Sequence, residues 1–105
     1  MPKYILAYHG GTGMPDDPAE VEKLMAAWGA WFGAMGDAVV DGGNPVSVTR
    51  TVAADGSVSE GGGSNPLTGY SLINADDLDA AVAHASGCPG LASGGSVEVA
   101  EAVDM

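Results

Sequence analysis

Between Asp17 and Gly36 the chain reads DPAEVEKLMAAWGAWFGAMG, and this stretch limits the possible folds more than any other. Val21, Leu24, Met25, Trp28, Trp31, Phe32 and Met35 recur at three- and four-residue intervals, which gathers them on one face of an α-helix. The ends are marked too. Asp17 can cap the free N–H groups, Pro18 fits the first turn, and Glu20 stands three residues past the cap as in a capping box. Gly36 can close the far end in a left-handed conformation. The helix holds both tryptophans and the sole phenylalanine, so the core is expected to form against it. Gly29, Gly33 and Gly36 share a side near Ala26, a small-residue face suited to another backbone packing closely.

A chain of 105 residues with 46% apolar content reads as one domain, 1–105, able to bury roughly two-thirds of its unfolded surface. Fourteen acidic residues against Lys3, Lys23 and Arg50 give a net charge of −11. Phosphate backbones need clustered cations, so nucleic acid is excluded as a partner, and anionic membrane surfaces are disfavoured. No stretch has signal-peptide character and no apolar run approaches spanning length, so a cytoplasmic location is expected. Cys88 has no partner for a disulfide. It follows a helix, the wrong end for stabilising a thiolate, and reads as structural.

Lys3 to His9, KYILAYH, is a strand with Tyr4, Leu6 and Tyr8 on one face and Ile5, Ala7 and His9 on the other. Both sets are largely apolar, so both faces are expected to be covered. Gly10 to Pro15 is a glycine-rich loop, but it fits neither GxGxxG nor GK[ST], and the acidic helix start would repel a phosphate. Ala38 to Asp41 is a short strand ended by GGNP. Val48 to Ala53 and Ser57 to Ser59 flank Asp55-Gly56 as a hairpin. Leu67 to Ile73 is a further strand. Asp76 to Ser86 is a second helix with Leu78, Ala81, Val82 and Ala85 on its inner stripe, and Ser96 to Val103 is the last strand.

The order β-α-β, hairpin, β-α-β predicts an α+β, ferredoxin-like fold with an antiparallel sheet. Both helices would lie on one sheet face, leaving an apolar face bare. A homodimer through the sheet faces covers it most simply, because a symmetric interface needs only one surface.

With the elements placed, the chain resembles the YCII-related (YCII/DGPF) family of small dimeric α/β-barrel proteins. The resemblance is carried by KYILAYHGG at Lys3 to Gly11, LMAAWGAWFGAMG at Leu24 to Gly36, GYSLINADDLDAAVAHASGCPG at Gly69 to Gly90, and GGSVEVAEAV at Gly94 to Val103. It implies a dimeric barrel with a cleft beside the first helix. Two departures stand out. Trp28 occupies the place where many relatives carry a helix histidine, and EGGGSNP at Glu60 to Pro66 stands where others show DGPF.

Candidate chemistry is sparse. His9 ends the first strand beside the glycine loop, where an imidazole suits acid/base work, with Asp41 to orient it. Tyr8, Trp28, Trp31 and Asn44 are candidates to line a cleft holding a small organic ligand. His84 reads as a surface residue. Two histidines and one cysteine, far apart, show no metal-ligand spacing, so no metal or cofactor is expected. The reading is a dimeric small-molecule-binding or regulatory module. The alternative, taken from activities in the resembled family, is a cofactor-free lyase or isomerase acting on a small organic acid or lactone through His9.

Overall fold

The computed structural model of the protein describes residues 2–10 and 16–103. The elements run β1 (Lys3–Gly10), α1 (Pro18–Met35), β2 (Val39–Asp41), β3 (Arg50–Val52), β4 (Val58–Glu60), β5 (Leu67–Asn74), α2 (Leu78–Ala85) and β6 (Gly95–Ala102). Short 3₁₀ turns at Gly36–Ala38 and Pro89–Ser93 follow the two helices. Four strands form one sheet in the order β2-β5-β1-β6, antiparallel throughout, while β3 and β4 form a separate two-stranded hairpin. The architecture is therefore α+β. Each β-α-β unit is split by a strand of the other: β5 lies between β1 and β2, and β1 between β5 and β6.

The period of two along β1 decides where the core sits. Tyr4 and Leu6 point to the helix side and are fully buried, together with Ser71 and Ile73 of β5. Trp31 and Met35 of α1, Ala81 and Ala85 of α2, and Ala75 and Cys88 complete the cluster. Both helices thus contribute to one layer. The Trp31 indole N–H donates to the His84 carbonyl at 2.9 Å and ties α1 to the last turn of α2. His84 is half-buried at this junction and is not a plain surface residue. Burial pushes the Cys88 thiol up, against the lowering effect of the Gly90 and Leu91 amides, which suits a packing residue.

Several expected details are corrected. Asp17 caps α1 by accepting from the Ala19 amide at 3.0 Å, but Glu20 turns instead toward Lys23, 3.6 Å away, and no capping box closes. Gly36 ends the helix at φ 55° and ψ −124°, a glycine region outside the left-handed helical well. Gly29, Gly33 and Gly36 face open space, and among the described residues no backbone packs on that side. On α2 only Ala81 and Ala85 are buried, and Leu78 and Val82 are exposed. A two-turn helix brought close to the sheet has room on its inner edge for methyl groups alone. Among the described residues nothing covers the far face of β1 at Ile5 either. Ile5 is 40% exposed there, and its neighbours across the strands are Leu72 and Ala100.

Among the described residues, no helix is long and apolar enough to cross a membrane. The glycine-rich loop after Gly10 lies outside the described residues over 11–15.

Candidate functional site

Four aromatic rings gather where α1 crosses β1. Tyr8 and Trp28 meet edge-to-face with centroids 5.1 Å apart and planes at 82°. Trp31 stands 5.5 Å from Trp28, and Phe32 6.0 Å from it. Such pairs prefer offset and T-shaped contacts because each ring has a negative face and a positive edge. The helical spacing 28, 31, 32 and the inward parity of Tyr8 are what bring them together.

The loop after β2 closes the other side. Beyond Asp41 the chain bulges and then runs along β5. The Tyr70 amide donates to the Asn44 carbonyl at 3.2 Å, the Val46 amide to the Thr68 carbonyl at 3.0 Å, and Pro45 bridges to Gly69. Two glycines make this approach possible. Gly43 has φ 72°, and a Cβ built there would overlap the Tyr70 carbonyl oxygen. At Gly69 a Cβ would stand 3.2 Å from the Tyr8 ring and 3.3 Å from the Asn44 carbonyl oxygen.

Between loop and helix lies a cavity of about 300 Å³. Tyr8, Met25, Trp28, Phe32, Asn44 and Thr68 are among its lining residues, and none of the described lining residues carries a charge. That volume is at the small end for ligand pockets and suits one ring-sized molecule. A hydroxyl relay anchors the floor: Tyr8 donates to Ser71 Oγ at 2.6 Å, and Ser71 donates to the Gly42 carbonyl at 2.7 Å. Asn44 Nδ2 donates to the Tyr70 hydroxyl at 3.1 Å on the rim.

Burial pushes the Tyr8 hydroxyl up to about 12, against the lowering effect of the Ser71 hydrogen bond and with a further rise from Cys88. The phenol is thus neutral near pH 7. A folded-state pKa above the unfolded value means that the native state holds the proton more tightly. Its stabilising contribution is therefore complete below pH 10 and is lost as pH rises from 10 to about 12. Tyr4, also raised by burial first and then by Glu101, acts in the same sense. Urea midpoints measured from pH 8 to 12 are expected to fall above pH 10, with a shallower fall in Tyr8→Phe. Superimposable pH profiles for the two proteins would contradict this assignment.

The sequence candidates separate into distinct places. Tyr8, Trp28 and Asn44 come together at the cavity, whereas Trp31 is buried behind them and serves the core. His9 borders a neighbouring recess of about 180 Å³, which shares Tyr8, Trp28 and Thr68 with the cavity. Its Nδ1–H donates to the Asn65 carbonyl at 3.0 Å. Nε2 is buried 3.3 Å from Glu98 Oε1 and has no hydrogen-bond partner among the described residues.

Asp41 does not orient His9 within this chain. Its carboxylate accepts from the Gly43 amide at 2.8 Å, closing its own turn. It pairs with Leu72 while His9 pairs with Leu67, two strands and five residues apart, which amounts to roughly 20 Å. Among the described residues, no three His, Cys, Asp or Glu side chains are grouped to hold a metal ion. Sequence reading missed Ser71, Gly43 and Phe32 as parts of the site. The signal for Ser71 was its inward parity with Gly69 and Ile73 in the apolar strand LTGYSLI.

The fold and site together describe an α+β protein with an uncharged aromatic cavity at a sheet edge. No model of a known protein family matches the chain, and no curated protein is significantly similar to it in sequence.

Proposed function

We propose that the protein is a small-molecule-binding module, working as a homodimer, whose cavity between α1 and the 42–45 loop holds one neutral, planar apolar ligand. The observation that carries this reading is the chemistry of the wall. Aromatic faces and edges supply contact, Asn44 and Thr68 supply sparse polar groups at the mouth, and no described residue offers a charge to an ion. An anion placed there would lose its hydration without gaining a partner.

The split β-α-β strand order supports a ferredoxin-like arrangement, and with the sequence motifs it supports membership of the YCII-related family. The uncovered sheet face around Ile5, Ala7, Leu72 and Ala100 supports dimerisation. A neutral Tyr8 and the distance between His9 and Asp41 favour holding a ligand over turning it over. An acid/base enzyme would have to work through His9 in the neighbouring recess.

The test uses 1-naphthol and 1-naphthoate as probes, with tryptophan fluorescence as the readout. Saturable quenching by the neutral naphthol at micromolar concentration is expected, with much weaker binding of the carboxylate. Trp28→Ala should weaken naphthol binding about tenfold or more, since an aromatic contact contributes on the order of 1 kcal/mol beyond its buried area. Equal binding of naphthol to Trp28→Ala and wild type, or no saturable binding to either, would refute the reading.

A further inference from the structure

The hydroxyl relay under the cavity can run in one direction only. It ends on the Gly42 carbonyl, a group that accepts and never donates, so the Ser71 proton points there across 2.7 Å. A serine has one such proton. The Tyr8 hydroxyl, 2.6 Å from Ser71 Oγ, is therefore the donor of that pair. One main-chain carbonyl thus sets the orientation of both hydroxyls.

Thr68 is fixed the same way. Its hydroxyl lies 3.1 Å from the Tyr8 main-chain carbonyl and can only donate to it. Tyr8, Gly42 and Thr68 all line the cavity between α1 and the 42–45 loop, while Ser71 is fully buried. The Tyr8 and Thr68 hydroxyls are left with lone pairs and no proton to offer a guest. At Tyr8 that lone pair sits where water is scarce, since burial is the main cause of the raised phenol pKa. A polar atom in such a place favours a partner more strongly than one at the surface. The N–H groups of Trp28 and Asn44 are donors of the same wall. A guest hydroxyl can answer those and Tyr8 Oη alike, whereas an ether or ketone oxygen answers the donors alone.

We propose that the cavity selects aromatic guests carrying a hydrogen-bond donor, a phenolic hydroxyl or a ring N–H, which donates to Tyr8 Oη. The inference rests on the small-molecule-binding reading above and narrows its ligand to a chemical class. Ser71 is then a positioning residue, because it holds the Tyr8 proton away from the guest.

Isothermal titration calorimetry of 1-naphthol and 1-methoxynaphthalene at pH 7, against wild type and Tyr8→Phe, tests the selection. The methyl ether keeps the rings and the oxygen, lacks the donor and is the more apolar of the two, so burial alone favours it. Wild type is expected to bind naphthol about tenfold more tightly, the scale of one hydrogen bond. Tyr8→Phe is expected to bind the two equally or to prefer the ether. A wild type that holds the ether as tightly as naphthol overturns the selection and leaves the binding-module reading standing. An unchanged naphthol preference in Tyr8→Phe also overturns it, since a clash of the methyl group would survive that substitution. No saturable binding of either molecule to wild type overturns the binding-module reading and the selection together. Should Tyr8→Phe lose its fold, Ser71→Ala decides. That change frees the Tyr8 proton to turn toward the guest, so the naphthol preference is expected to shrink to about threefold or less, and an undiminished preference overturns the proposal.

Discussion

Gly43→Ala is expected to destabilise the fold by about 3 kcal/mol or more and to abolish ligand binding in whatever remains folded. Two independent costs add at this position. The backbone sits at φ 72°, where an L side chain costs roughly 1–2 kcal/mol. The new Cβ would also overlap the Tyr70 carbonyl, a rigid backbone group in a paired strand, and overpacking of this kind costs about 1–3 kcal/mol. The only relief is for the loop to lift off β5, which breaks the hydrogen bond from the Tyr70 amide to the Asn44 carbonyl and removes one cavity wall. Urea titration and naphthol binding measure the two effects separately. A fully stable variant with intact binding would mean that the loop does not run along β5 as described.

Trp31→Ala should cost about 3–5 kcal/mol, the range for deleting a buried aromatic ring. The side chain is buried among Tyr8, Trp28 and Phe32, so its loss leaves a void bounded by rings that cannot collapse without breaking their own contacts. The indole N–H also links the two helices, and without it the His84 carbonyl keeps only backbone amides of its own turn, Gly87 among them at 3.2 Å. Trp31→Phe keeps most of the volume and isolates that hydrogen bond, for which about 1 kcal/mol is expected. Chemical denaturation of both variants gives the comparison. A loss for Trp31→Ala no larger than for Trp28→Ala would place Trp31 in the cavity wall and not in the core.

These expectations also show what could be read from sequence. Element types and most boundaries followed from local chemistry. Asp17 and Gly36 marked α1, aromatic and branched residues marked β1, alternation marked β6, and Asp55-Gly56 marked the hairpin turn. The inner face of α2 was misjudged because periodicity gives a broad arc of candidates. Which edge of that arc turns inward depends on how closely the helix approaches the sheet, which here leaves only alanines inside. Three of the six candidate site residues met at one cavity, since Tyr8, Trp28 and Asn44 sit near element ends that the topology brings together. The His9–Asp41 pairing failed for a tertiary reason, because their partners on β5 are five residues apart. Ser71 was overlooked because a lone serine in an apolar strand states its importance only once Tyr8 and Gly42 are beside it.

The position of β1 in the sheet sets the order in which this molecule can be made. It leaves the ribosome well before either of the strands that flank it, and Tyr4 bonds to a residue 97 positions downstream. Neither edge of β1 can be satisfied until β5 and then β6 have been synthesised. Throughout that interval KYILAYH is an apolar segment with two unpaired edges, the kind of strand that templates association between nascent chains. Long-range pairings of this sort also fold slowly, because the loop must close before any contact rewards it. The eight acidic residues between β1 and β5, against Lys23 and Arg50, give waiting chains a like charge that opposes such association, so a composition that looks indifferent to function guards the molecule during its own assembly.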